Sequence, residues 1–117
     1  MIAIRGAITV KSNTKDEILK STKVLLQGIL ESNNIDNVDI ISINFSGTKD
    51  LTKAYPAVAA REMGLTECAL CCFQEMYVEG SLEMCIRVQM YVNSKACQKD
   101  AKHVYLEKAK ILRPDIS

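Results

Sequence analysis

The chain has no tryptophan, two prolines and five glycines that stand singly. Glycines placed this way exclude a phosphate-cradling loop. No repeat, low-complexity stretch or long linker divides the chain, so residues 1–117 are expected to form one domain. Neither sign of charge is in excess: 15 Lys and Arg stand against 14 Asp and Glu, a net charge of +1. That balance offers no footprint for nucleic acid or for a membrane surface. An anionic ligand would have to be held by a few placed cations. No apolar run approaches the roughly 18–20 residues of a spanning helix. The N-terminus, Met1-Ile2-Ala3-Ile4-Arg5-Gly6-Ala7-Ile8, lacks the basic and apolar regions of a secretory leader. The five cysteines are an odd number in strand-like sequence, which favours reduced thiols and a cytoplasmic setting.

What is present is globular material, 48% hydrophobic and 25% charged, enough for a single buried core. Residues 2–10 alternate, with Ile2, Ile4, Ile8 and Val10 on one face and Ala3, Arg5, Ala7 and Thr9 on the other, which predicts a strand with one apolar side. Thr14-Lys15-Asp16-Glu17 reads as a capping box that opens a helix through Ile18, Thr22, Leu25, Leu26 and Ile29 to about Ser32. An isoleucine-rich strand is expected over Val38–Phe45, then a polar loop at Ser46-Gly47-Thr48-Lys49-Asp50. Pro56 suits the first turn of a short helix over 56–63, and Gly64 suits its C-terminal cap. Strands follow over Cys68–Met76 and Cys85–Val92, separated by a turn at Glu79-Gly80. The tail, 97–113, reads as helix-like in its middle and closes at Pro114. The expected fold is α/β (α+β), a mixed sheet with helices on one face. The other face, carrying Arg5 and Arg87, would be left open for a second copy to cover.

Those two arginines are the most informative residues. Each sits in an alternating strand opposite the aliphatic face, and Ala3 and Ala7 leave space beside Arg5. A guanidinium is always charged and offers a planar fork to carboxylates or ether oxygens. A solvated strand arginine or an ion pair explains either one alone; the two together on one open face strengthen the case for a ligand. Glu75, expected at the end of the third strand beside the fourth, would either bridge to one of these arginines or accept a hydrogen bond from a substrate hydroxyl. The cluster Cys68-x-x-Cys71-Cys72 lacks the second ligand pair a structural zinc site needs. Adjacent cysteines in a strand also point to opposite faces, so no metal is expected and the cysteines read as small buried apolar residues. His103 has no nucleophile context for a hydrolytic triad, and Tyr105 reads as core with its hydroxyl at the surface.

Several segments, taken in order, closely resemble the monofunctional trimeric chorismate mutases of the pseudo-α/β-barrel type, a class unrelated to the all-helical chorismate mutases. They are Ile4-Arg5-Gly6-Ala7 with Thr9-Val10, Tyr55-Pro56-Ala57 with Ala59 and Arg61-Glu62, Gln74-Glu75-Met76, Cys85-Ile86-Arg87-Val88, His103 through Ala109, and Leu112-Arg113-Pro114-Asp115. The resemblance implies a homotrimer with clefts between subunits that rearranges chorismate to prephenate for phenylalanine and tyrosine biosynthesis, with no cofactor or metal. It implies that Arg87 faces the ether oxygen of the breaking bond, that Arg5 and Tyr105 hold a carboxylate, and that Glu75 binds the ring hydroxyl. Groups of Cys71, Cys72, Phe73 and Gln74 would position the substrate, Tyr55, Ala57, Arg61 and Leu112 would form walls or a rim, and Arg113 would lie near the mouth. The chain departs from the pattern at Val58, where many members carry lysine, at Gly47, where alanine is common, and at Ser117, short of the loose tail of some relatives. A Rid-type imine or enamine deaminase, or a small-molecule binding protein of the same trimeric architecture, would share the fold without the joint match of Glu75, Arg87 and Tyr105.

Overall fold

The alternation read in the first strand places it in the middle of a sheet. β1 (Ile2–Thr9) buries Ile2, Ile4 and Ile8 on one side, with Val10 just beyond. The computed structural model describes residues 1–113, so the close expected at Pro114 lies outside the described residues. α1 (Lys15–Ser32) begins as its cap predicts, the Thr14 hydroxyl oxygen accepting from the Glu17 N–H at 3.2 Å. The Thr14 N–H donates to the Ser12 carbonyl at 2.9 Å, so the cap is made from one side and the reciprocal bond of a capping box is replaced. Ile18, Leu19, Thr22, Leu25, Leu26 and Ile29 form the buried stripe that lies on the sheet. The helix ends at Asn33, whose side-chain amide donates to the Ile29 and Lys102 carbonyls at 3.0 and 2.9 Å.

β2 (Ile40–Gly47) starts and ends two residues later than the isoleucines suggested. Val38 falls in a short 3₁₀ turn and is exposed, and the polar continuation through Ser46 remains in the strand. α2 (Ala57–Glu62) follows Pro56 and closes before Gly64, whose φ of 84° is the left-handed conformation glycine adopts without penalty. β3 (Ala69–Gln74) is shorter than expected, and β4 (Cys85–Val92) has its expected bounds. The expected helix-like tail is a different structure. It contains a 3₁₀ turn at Gln98–Asp100, a three-residue strand β5 (Val104–Leu106), and a 3₁₀ helix over Glu107–Leu112. A strand so short has no periodicity of its own; pairing with Gly6, Ala7 and Ile8 creates it.

The five strands run in the order β3-β2-β4-β1-β5. β4 is antiparallel to both β1 and β2, while β5 lies parallel to β1 and β3 parallel to β2. The sheet is therefore mixed, as expected. The main core lies between it and the helices, where Ile4, Ile43, Phe45, Ile86 and Met90 meet Ile18, Leu25, Leu26 and Ile29. The opposite face is not bare throughout. Tyr105 and Ala109 pack on Ala7 and Cys85, with Leu82 and Leu112 beside them, so the C-terminal segment covers one corner of it.

Candidate active site

Residues directly opposite one another in a sheet share a face. The register gives one row running Tyr105, Ala7, Arg87, Ser46, Phe73 and a second running Arg5, Gln89, Asn44, Cys71. Both rows lie on the face away from the helices. Arg5, Arg87, Glu75, Ser46, Asn44 and Gln89 converge there on an open pocket of about 200 Å³, with Phe73 at its edge. The small Ala7 stands between Tyr105 and Arg87, and Tyr105 packs against it, 6% exposed.

Glu75 reaches this pocket by a route the sequence did not reveal. β3 pairs with β2 and not with β4, so Glu75 does not lie beside β4 as expected. Its backbone N–H donates to the Gly47 carbonyl at 2.9 Å, and its side chain reaches across β2. There Oε1 accepts a hydrogen bond from the Ser46 hydroxyl at 2.5 Å and lies 3.5 Å from Nε of Arg87. The second contact is an ion pair without a hydrogen bond. Nε of Arg87 is buried and, among the described residues, has no hydrogen-bond partner. A buried donor left unmatched costs stability, about 1–3 kcal/mol, and such costs recur where a protein awaits a ligand.

The start of β4 is held by residues that read only as a polar loop. The Asp50 carboxylate accepts from the Met84 N–H at 3.0 and 3.2 Å and from the Thr48 hydroxyl, while Thr48 Oγ1 accepts from the Cys85 N–H at 3.0 Å. This clamp stabilises Met84 in a left-handed conformation, φ 51°, three residues before Arg87. Cys85 is buried on the same face as Arg87, and burial pushes its thiol up to about 11 despite the opposing pull of the guanidinium. It therefore remains neutral and does not cancel the Arg87 charge. At the other end of the pocket, the Arg5 N–H donates to Nδ1 of His103 at 2.9 Å. Burial, then the charges of Arg113 and Arg5, hold the His103 imidazole below its ordinary pKa.

Apart from Phe73, the remaining expected residues do not line this pocket within one chain. Tyr55, Cys72, Phe73 and Gln74 line a separate cavity of about 500 Å³ with the loop after β2. Cys72 is half-buried against the Ala57 backbone and near Arg61, and burial raises its thiol pKa. Ala57 is buried, Arg61 is exposed on α2, and Cys71 is exposed on the Arg5 row. Leu112 packs in the cluster around Tyr105. Phe73 lines both cavities and is 60% exposed. Among the described residues, no group of three His, Cys, Asp or Glu side chains could hold a metal ion.

The family model for chorismate mutase type I matches residues 1–116. The chain belongs to that family. It is 46% identical over 115 residues to the chorismate mutase AroH of Bacillus subtilis strain 168, covering 97% of this chain and 91% of that one. With the chorismate mutase AroH of Thermus thermophilus it shares 42% over 114 residues, covering 97% and 93%. A solved chorismate mutase from Clostridium thermocellum superposes with a TM-score of 0.93 at 55% identity, covering 95% of this chain and 99% of that one. These findings leave the Rid-type reading without support. At position 47 the alanine common in type I chorismate mutases would also fit, since a Cβ there would meet nothing within 4 Å. Val58, where the family often has lysine, is half-buried on α2 and leaves that position without charge.

Proposed function

We propose that this chain rearranges chorismate to prephenate in aromatic amino-acid biosynthesis, using electrostatic stabilisation by the pocket around Arg87 and no covalent intermediate. In this reaction the ether C–O bond breaks as a C–C bond forms within one molecule, so no nucleophile or electron carrier is required. Catalysis needs the substrate held in its compact diaxial conformer and positive charge placed where the ether oxygen becomes negative. Arg87 supplies that charge. Its unpartnered Nε, on a side chain only 30% exposed, is the observation that carries the reading. Arg5 and Tyr105 hold a carboxylate, and Glu75 accepts the ring hydroxyl. Arg113 attracts the dianion at the mouth.

The reading includes a homotrimer. Tyr55, Cys72 and Gln74 line the other cavity, and Ala57 and Arg61 lie on α2 next to Cys72, so a neighbouring copy that offers this wall to the Arg87 pocket would complete it. Such heterologous contacts close naturally into a ring. The five cysteines stand as free thiols, in keeping with a cytoplasmic setting. Incubating the purified protein with chorismate, while following loss of its absorbance and identifying the product, tests the proposal. Prephenate formation well above the uncatalysed rate is expected; an unchanged chorismate spectrum sinks it.

A further inference from the structure

We propose that Ser46 is a positioning residue for this reaction, acting as the donor that holds the Glu75 carboxylate off Arg87; the inference rests on the function proposed above. Three observations meet at this residue. The register of β2 sets Ser46 directly opposite Arg87 on one side and Phe73 on the other, so its side chain stands on the pocket face beside Arg87. Its hydroxyl donates to Oε1 of Glu75. The same oxygen lies 3.5 Å from a buried Arg87 Nε that has no hydrogen bond.

A carboxylate and a guanidinium this close ordinarily contract to a charge-assisted hydrogen bond of about 2.7–2.9 Å. Contraction would harm both partners. Arg87 would spend its free donor and part of its field on Glu75 instead of on the ether oxygen. Glu75 would be drawn toward Arg87 and away from the substrate hydroxyl. Ser46 opposes this by satisfying Oε1 from β2, while the Glu75 backbone N–H is tied to the adjacent Gly47 carbonyl at 2.9 Å. The carboxylate is thus fixed by two neighbouring residues of one strand, and its other oxygen is left to accept the substrate hydroxyl. A serine has one donor proton, and in this arrangement it is committed to Glu75. Ser46 itself touches no reacting atom.

Ser46→Ala, Ser46→Thr and Glu75→Gln, singly and with Ser46→Ala combined with Glu75→Gln, test the assignment by steady-state kinetics with chorismate, alongside thermal unfolding. Losing a hydrogen bond to a charged group should lower kcat on the order of tenfold to a hundredfold in Ser46→Ala, with a smaller change in KM and an unaltered Tm. Ser46→Thr keeps the hydroxyl and should stay within about threefold of wild type. In the Glu75→Gln background, adding Ser46→Ala should cost almost nothing, because its effect runs through the carboxylate. An active wild type whose Ser46→Ala variant turns over equally fast overturns the proposal. So does a Ser46→Ala loss that adds in full to that of Glu75→Gln. A wild type that makes no prephenate would instead reject the underlying function, which separates the two failures.

Discussion

Arg87 and Arg5 carry the same charge, but the reaction asks different things of them. In the proposed mechanism the ether oxygen facing Arg87 gains charge only as its bond breaks, so the interaction strengthens toward the transition state. The carboxylate proposed to face Arg5 is charged throughout. Arg87→Met, similar in length and neutral, is expected to lower kcat on the order of a hundredfold to a thousandfold with little change in KM. Arg87→Lys should recover only part, since an ammonium cannot reproduce the fork. Arg5→Ala should act mainly by raising KM. Initial rates across chorismate concentrations separate the three. Cys85 makes a further test at this scale. Its thiol is raised from 9.0 to about 11 by burial, so the unfolded chain sheds this proton first as pH rises. Stability from the neutral thiol is complete below about 9 and drains away as pH climbs toward 11. Unfolding measured from about pH 8 to about pH 10 should show Tm falling less steeply in Cys85→Ala than in wild type.

At the scale of elements, the site depends on β5, the strand that local sequence does not announce. Strand β1 could be read because eight residues alternate cleanly, and α1 because its apolar stripe and Thr14 cap agree. The shared face of Arg5 and Arg87 followed from the same alternation. Nothing comparable marks Val104–Leu106. Its carbonyl at Val104 lies 2.8 Å from where a Cβ on Gly6 would sit, with Leu25 and Ile29 side chains at 3.1 and 3.0 Å, so the close approach needs glycine there. Ser46, Thr48 and Asp50 escaped notice for a related reason. Their turn-like composition hid a strand end, although Ser42, Asn44 and Ser46 continue a period of two whose polar side faces the pocket. The place of Glu75 could not be read either, because strand order is a property of the whole sheet. Gly6→Ala is expected to cost roughly 1–3 kcal/mol through overpacking. It should also lower activity more than its Tm alone accounts for, since displaced β5 carries Tyr105. Equal stability and turnover in wild type and Gly6→Ala would show that β5 can shift without consequence.

For the whole molecule, the proposed trimer would make assembly part of catalysis. One copy presents Arg5, Glu75 and Arg87 on a sheet face, with Tyr105 in the same row as Arg87, and presents Tyr55 and Cys72 at a separate cavity, with Arg61 near Cys72. If each site joins the first set of one copy to the second set of the next, two differently crippled chains should repair each other. Arg87→Met removes the central cation, and Arg61→Ala removes a rim residue from the other wall. Purified alone, each should form trimers of about three times 13.0 kDa by light scattering and turn over chorismate poorly. Co-expressed in equal amounts, they assemble at random. A site is intact when its sheet face comes from the Arg61→Ala chain and its rim from the Arg87→Met chain, which happens in roughly one quarter of sites in a cyclic ring. Activity near a quarter of wild type per site is therefore expected in the mixture. A site contained within one copy would give only the average of the two parents. That outcome, or full activity in a monomer, would overturn the interfacial site while leaving the role of Arg87 untouched.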